Sequence, residues 1–448
     1  MRANSPSELP PLREGGGQNA EPVVQAILDA VRGDGDAALR AFARFNFAAL
    51  APDGANFDSL YADALKLVKS DYSIEVPRAE IDKAFRDIDD EFKRILKRAY
   101  DNIASFHSCQ KRGGFVSDKI DAGVVVGQRV TPLDSAGVYV PGGTAPYPST
   151  VLMNAIPAKI AGVGALYMAT PPGPDGRVPR NILAVAALAG VDRVFAVGGA
   201  QAIAAFAYGT ESVPGADKIT GPGNLYVQTA KRMVYGKVDI DMIAGPSDIL
   251  VVADHTATPE FVAADMLSQA EHDVCSQSVL VTVSETLAGQ VREQLETQLE
   301  RLPRREIAAR ALRDNSAIII TDTLEHAADI SNFIAPEHLE LCIAEPFALL
   351  SAIRHAGSVF LGHYTPEALG DYMAGPNHTL PTEGSARFSS PLSVDDFCKR
   401  SSFVYYRQDA FQKLAGDVAE FARREGLEAH ARSVDARLNQ KPGAVIYE

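Results

Sequence analysis

The sequence predicts an α/β protein built mostly from parallel sheet. Short Val- and Ile-rich runs recur as "ALYMAT", "RVFAVGG", "DKITGPGN", "DILVVAD", "SVLVTVS", "SAIIITD" and "GSVFLG", each near a segment with helical spacing. Parallel strands need a crossover, usually a helix, so this alternation means parallel pairing. Three of the strand ends run into turns rich in Gly and Pro, and both ends of the chain lack the pattern.

In chain order, the first twenty residues, "MRANSPSELPPLREGGGQNA", form an irregular arm that takes structure only from what it leans on. "VVQAILDAVRGDGDAALRAFARF" predicts two helices split at Gly33–Asp36, with Asp34 or Asp36 able to cap the second. One long amphipathic helix is expected over roughly 78–107. "GVVVGQRVTPLDSAGVYVPGG" gives two short strands around a proline turn, and the alternating region follows. The tail, 409–438, returns to amphipathic helix without strands.

At 448 residues the chain exceeds one compact core and predicts two or three units. Its net charge of −14 argues against a nucleic-acid or anionic-membrane partner, since both need a basic face. Cys109, Cys275, Cys342 and Cys398 are scattered without a CxxC pair, so neither a disulfide framework nor a thiolate zinc site is implied. The start has no apolar export segment, and the greasiest run, 151–170, is broken by Asn154, Pro157 and Lys159. A reducing, cytoplasmic location is expected.

Three groups of residues carry candidate chemistry. "FIAPEHLEL" sets Glu337 beside His338 in an otherwise apolar segment, which fits a surface turn, a structural ion pair or an acid–base couple. The turns in "VYVPGGTAPYPST", "AVGGAQAIAAFAYG" and "ITGPGNLYVQTAK" offer backbone N–H groups and helix starts to an anion, with Tyr139, Gln201 and Asn224 alongside. Each also reads as plain strand-to-helix punctuation, none is a full GxGxxG, and no P-loop occurs. In "ADMLSQAEHDVCS", Gln269 and His272 stand three apart on one helix face, with Asp371 and His378 in a turn-rich loop and His430 on the tail helix. Those residue types suit zinc, but they are equally ordinary as helix-end, Asx-turn and surface residues.

The motifs "GVYVPGGTAPYPSTVLMNAIPAKIAGV", "VGGAQAIAAFAYGT", "KITGPGNLYV", "DMIAGPSDILVVAD", "LSQAEHD", "IAPEHLEL", "TPEALGDYMAGPNHTLPT", "ARFSSPLSVDDF" and "EGLEAHARSV" together resemble the histidinol dehydrogenases, over essentially all of the chain from Val23 onward. Only the first eighty residues depart from the pattern, through a longer "APDGANFDSLYADALKLVKSDYSIEVPR". The resemblance implies two Rossmann-like α/β domains, an N-terminal arm and a helical C-terminal tail that exchanges across a homodimer. The boundaries expected are an arm over 1–25, a main domain over 26–143 and 247–390, an inserted nucleotide-binding domain over 144–246, and a tail over 391–448.

It further implies one zinc ion per subunit on Gln269, His272, Asp371 and His430, and Glu337 with His338 as the acid–base pair. Ser247, His378 and Glu425 would contact the substrate, as would His338 and the zinc ligands themselves. Tyr139, Gln201 and Asn224 would line the NAD site. Glu425 and His430 would serve the partner's site. The implied reaction is the four-electron, NAD-dependent oxidation of L-histidinol to L-histidine through the aldehyde, a step of histidine biosynthesis. His338 would take the hydroxyl proton and Glu337 would deprotonate the water that hydrates the aldehyde. Since neighbours on an extended chain point opposite ways, this requires a turn after Pro336. Zinc would position the substrate, and no cysteine lies among the site positions for a covalent route. The rival readings are a relative that oxidises another polar alcohol such as a sulfonated diol, which the carboxylate of Glu425 disfavours, and a non-catalytic metal- or nucleotide-binding descendant.

Overall fold

The β-branched runs assemble into two separate parallel sheets in a computed structural model that describes residues 1–9, 20–44, 56–67, 72–117, 122–142 and 147–438. Its strands are β1 (Glu75–Val76), β2 (Phe115–Val116), β3 (Val124–Pro132), β4 (Ser135–Tyr139), β5 (Ala165–Ala169), β6 (Arg193–Phe195), β7 (Lys218–Thr220), β8 (Asp239–Ile240), β9 (Asp248–Ala253), β10 (Gln277–Thr282), β11 (Ala317–Ile320), β12 (His338–Cys342), β13 (Ser358–Leu361) and β14 (Cys398–Tyr406).

The first sheet has the order β1-β6-β5-β4-β7-β8 and is parallel except for β1. The second has the order β11-β10-β9-β12-β13 and is parallel throughout. In both, the chain winds outward from a central strand, then returns to wind the other way. The reversal falls between β4 and β7 in one sheet and between β9 and β12 in the other. β9 and β10 are buried along their whole length, which is why they read as continuous Val, Ile and Leu rather than as alternation. The crossover helix Pro148–Ala161 is likewise buried on nearly every side, and Gly162 ends it in the left-handed conformation (φ 94°).

These strands lie in one compact unit, residues 1–111 and 132–397. A second unit combines residues 112–131 with 398–448, its core a β14-β3-β2 sheet and the helices Gln408–Arg424 and Glu428–Leu438.

The structure corrects several sequence expectations. The helix expected over 78–107 is two, Arg78–Asp87 and Asp90–Ser108, because Asp89 caps the second by accepting from Phe92 N–H at 2.8 Å. The helix pair before residue 45 divides at Gly35 (φ 52°), but Asp36 accepts from the Thr210 hydroxyl and Ser212 N–H, and Asp34 accepts from Tyr61. Both acids therefore serve tertiary contacts. The arm expected over 1–25 already enters a helix at Glu21. Its first residues lean on β11, with Ala3 N–H on the Ile320 carbonyl at 3.0 Å and Ile320 N–H on the Met1 carbonyl at 2.8 Å. Part of the arm, 10–19, lies outside the described residues. The expected helical tail, 391–448, contains a nine-residue strand, β14, whose partner β3 is remote in sequence. β4 precedes the boundary expected at residue 144 yet is a central strand of the first sheet.

Candidate active site

Strands β9 and β12 are neighbours with His338 in register with Ile249, so Asp248, Glu337 and His338 gather at their amino ends. The helix Leu324–Ile334 stops at Ala335, a buried residue in the left-handed conformation (φ 53°) directly before a proline. The chain bends again at Glu337, directly after Pro336, as the sequence requires, before β12 begins at His338. Asp248 then binds both members of the pair. Its carboxylate accepts from Glu337 N–H at 2.7 Å, its own N–H donates to Glu337 Oε2 at 3.0 Å, and its carbonyl lies 3.1 Å from His338 Nδ1. A carbonyl only accepts, so Nδ1 carries the imidazole proton and Nε2 keeps its lone pair. Burial holds His338 neutral by lowering its pKa to about 4. Burial, reinforced by the charge of Asp248, raises Glu337 well above the usual carboxylate range. The two side chains stand together, with His338 Nδ1 3.7 Å from Glu337 Oε2.

Three further elements close around Nε2. The short helix Glu367–Tyr372 presents Glu367 and Asp371 one turn apart, and donor atoms of His338, Glu367 and Asp371 all lie within 4.8 Å of one another. His378 follows, with Nδ1 3.5 Å from Asp371 Oδ1 and Nε2 3.5 Å from the Thr150 hydroxyl. Burial works against ionisation of Asp371, yet the hydrogen bond and charge of His378 hold its carboxyl low. Burial and the Asp371 charge lift Glu367 to about 8. The last turn of the helix Pro259–Ala270 brings in Gln269, with His272 just beyond, close enough to feel the charges of Asp371 and His378. His338, Phe360, Asp371, His378 and Leu380 line a cavity of about 320 Å³.

Gln269 is 1 % exposed, and neither Oε1 nor Nε2 has a hydrogen-bond partner among the described residues. Its amide lies beside the Glu367 carboxyl but outside hydrogen-bond geometry. A buried amide left without partners costs about 1–3 kcal/mol, so this one fits a ligand to a bound cation, next to an imidazole and a carboxylate. Ser247 immediately precedes Asp248, and its carbonyl accepts from Gln277 N–H. Glu425 and His430 belong to the second unit, where both are exposed.

The residues expected at a nucleotide lie on the other sheet, at the carboxyl ends of its strands. Tyr139 ends β4, and its hydroxyl accepts from Gly199 N–H at 3.0 Å, which ties the β4 turn to the β6 turn. Gln201 is in the first turn of the helix Ala200–Tyr208, its amide packed by Gly199. Asn224 caps the helix Leu225–Val234 by accepting from Val227 N–H at 3.2 Å. Gly221 has φ +114°, and a Cβ there would stand 2.0 Å from the Tyr139 carbonyl oxygen. These turns flank the reversal between β4 and β7, where open parallel sheets bind ligands.

Sequence reading missed Asp248 and Glu367. The spacing of Glu367 to Asp371 was a usable signal, since residues four apart share a helix face. Asp248 gave a weaker one, an acid at the first position of an otherwise aliphatic buried strand.

A profile of the family described as histidinol dehydrogenase matches residues 13–438. The chain belongs to the histidinol dehydrogenase family. A histidinol dehydrogenase of Halalkalibacterium halodurans is 53% identical over 369 residues, 82% of this chain and 87% of that protein. One of Clostridium acetobutylicum is 50% identical over 425 residues, 94% of each chain. The crystal structure of histidinol dehydrogenase from Elizabethkingia anophelis superposes with a TM-score of 0.85 at 39% identity, covering 95% of this chain and 94% of that one. The α/β fold with parallel sheets is thus that of a histidinol dehydrogenase, and the chain joins a family of oxidoreductases. None of the described helices is long and apolar enough to cross a membrane.

Proposed function

We propose that the protein oxidises L-histidinol to L-histidine with NAD as oxidant and zinc bound on Gln269, His272, Asp371 and the partner's His430, in the cytoplasm. The observation that carries this reading is a cavity lined by the neutral imidazole of His338, whose Nε2 keeps its lone pair, and by Asp371, whose carboxyl is held low, with the partnerless amide of Gln269 beside Glu367, one helical turn from Asp371. Zinc there would anchor the amine and imidazole of the substrate. NAD would accept hydride from the carbon so held.

The chain's own groups then move the protons. His338 Nε2 takes the hydroxyl proton as hydride leaves, while the Asp248 carbonyl keeps the proton on Nδ1 and so fixes the tautomer. Glu337, in its carboxylate form, takes a proton from the water that adds to the aldehyde. Ser247, His378 and Glu425 contact the substrate, and Tyr139, Gln201 and Asn224 line the NAD site at the β4/β7 reversal. The test is NAD reduction with L-histidinol against a panel of other alcohols, sulfonated diols included. Two NADH per L-histidinol are expected, and one or none would overturn the reading.

The protein acts as a homodimer in which Glu425 and His430 complete the partner's site. In support, the second unit is unusually apolar outside. Leu414, Val418 and Phe421 form an exposed stripe along the helix Gln408–Arg424, and Phe115, Val116, Val404 and Tyr405 are exposed on its sheet. Coexpressed His272→Ala and His430→Ala chains should recover activity that each lacks alone. In a mixed dimer with exchanged tails one site collects both lesions and the other none, so about a quarter of all sites are intact under random pairing. No recovery in dimers shown by mass spectrometry to be mixed would refute the exchange.

A further inference from the structure

Beside the turn that follows β7 lies a buried ion pair that the reaction does not use. Lys231, on the helix Leu225–Val234, and Asp241, just past β8, form it with side chains 1% and 0% exposed. The pair holds one residue through both of its backbone groups. Lys231 Nζ donates to the Gly221 carbonyl at 3.0 Å, and Asp241 Oδ2 accepts from Gly221 N–H at 2.7 Å. Asp241 Oδ1 also accepts from Met242 N–H at 2.6 Å, which fixes the carboxylate to the chain after β8. One turn earlier on the same helix face, Gln228 repeats the pattern, donating to the Gly223 carbonyl at 3.3 Å and accepting from Ala244 N–H at 3.1 Å. A trans peptide sets its N–H opposite its carbonyl, so Asn224 N–H is turned away from Gln228.

We infer that Lys231, Asp241 and Gln228 are positioning residues for the cofactor, holding the turn from Gly221 to Asn224 in the conformation that receives NAD. They act through the backbone of that turn. Glycine at φ +114° supplies a shape that a side chain would forbid, and with it the freedom to leave that shape. Hydrogen bonds to charged groups are the strong ones, and the ion pair gives one to each backbone polar group of Gly221. Stability alone does not account for the charges, since a buried pair exchanged for apolar residues of similar volume often costs nothing. The inference rests on the NAD reading above.

The test titrates the full-length protein with NAD by calorimetry, beside its zinc affinity and the melting temperature of the NAD-free form. Lys231→Met/Asp241→Asn removes both charges together and releases the Gly221 carbonyl while an acceptor for its N–H stays. The Kd and KM for NAD should rise about tenfold, equivalent to about 1.4 kcal/mol. Zinc affinity and kcat at saturating NAD should hold, and the melting temperature should stay within about 4 °C. Gln228→Met loosens the other end of the turn, in case the double variant does not fold, and should raise the NAD Kd about threefold. Wild-type NAD affinity in the folded double variant would overturn the inference, and a lowered melting temperature beside it would make the pair purely structural. If only Gln228→Met folds, wild-type NAD affinity there overturns it instead. Asn224→Ala is the control. If it loses NAD affinity while the supporting variants keep it, the support alone fails; if it binds NAD like wild type, the NAD reading falls and the support with it.

Discussion

The two parallel sheets share one winding order, yet the candidate chemistry sits at the carboxyl ends of the first and the amino ends of the second. At the first edge, β4, β6 and β7 turn through glycines into the starts of the helices Pro148–Ala161, Ala200–Tyr208 and Leu225–Val234. Helix starts offer N–H groups and a positive dipole end, which suits a pyrophosphate. At the second edge, helices arrive instead of leaving. Ile334 closes one helix just before Glu337, and Gln269 lies in the last turn of another. Helix ends offer carbonyls and a negative dipole end, and the ionised carboxylate of Asp371 deepens that field. That suits the zinc ion and cationic substrate proposed above. One topology therefore serves an anion or a cation according to which end of its strands is used.

If the sheets divide the work this way, lesions in each should separate kinetically. The largest effect is expected for His338→Asn, which removes the proton acceptor at the second edge. Its kcat should fall about 10²–10⁴-fold with NAD affinity unchanged by calorimetric titration, and a parallel loss of NAD affinity would break the comparison. Gly221→Ala strikes the first edge, where the new Cβ would meet the Tyr139 carbonyl at 2.0 Å in a φ of +114°. Strain of that kind costs about 1–3 kcal/mol, so KM for NAD should rise roughly tenfold while kcat at saturating NAD and zinc binding persist. A fall in kcat with KM unmoved would show that the first sheet does more than hold the cofactor.

The smallest effect is in the acid limb of the pH profile. His338 is neutral until about pH 4, so kcat/KM should show no histidine ionisation near 6.5 and should fall as pH drops toward 4. The same shift makes His338 a source of acid lability. Its contribution to stability is whole above the unfolded pKa of about 6.5 and is lost as pH falls to about 4, because the unfolded chain takes up the proton first. An inflection near 6.5 that vanishes in His338→Asn would contradict its burial.

What the sequence disclosed follows from how local each signal is. The strands were legible because β-branched runs and glycine turns are local, and the motifs carried Glu337, His338, Gln269, His272 and Asp371 as a set. Asp248 and Glu367 were not, because an acid inside a buried strand or short helix has meaning only through a partner on another element. The break at Asp89 was missed since one capping side chain interrupted an amphipathic pattern that runs on beyond it. The strand β14 was missed because all nine of its residues are at least partly exposed, which leaves no burial alternation to read.

That strand also governs how the chain is made. β3 and β2 lie close together in the chain, but β3's other neighbour begins only at Cys398, far along it. At typical elongation rates of 5–20 residues per second, the free edge of β3 waits about 15–50 s on the ribosome. Phe115 and Val116 stay exposed even in the finished chain, at 59% and 63%, so during that interval the nascent hairpin offers both a bare edge and an apolar face. A chaperone that shields such edges until β14 arrives would then set the yield of native protein more than the stability of either large sheet.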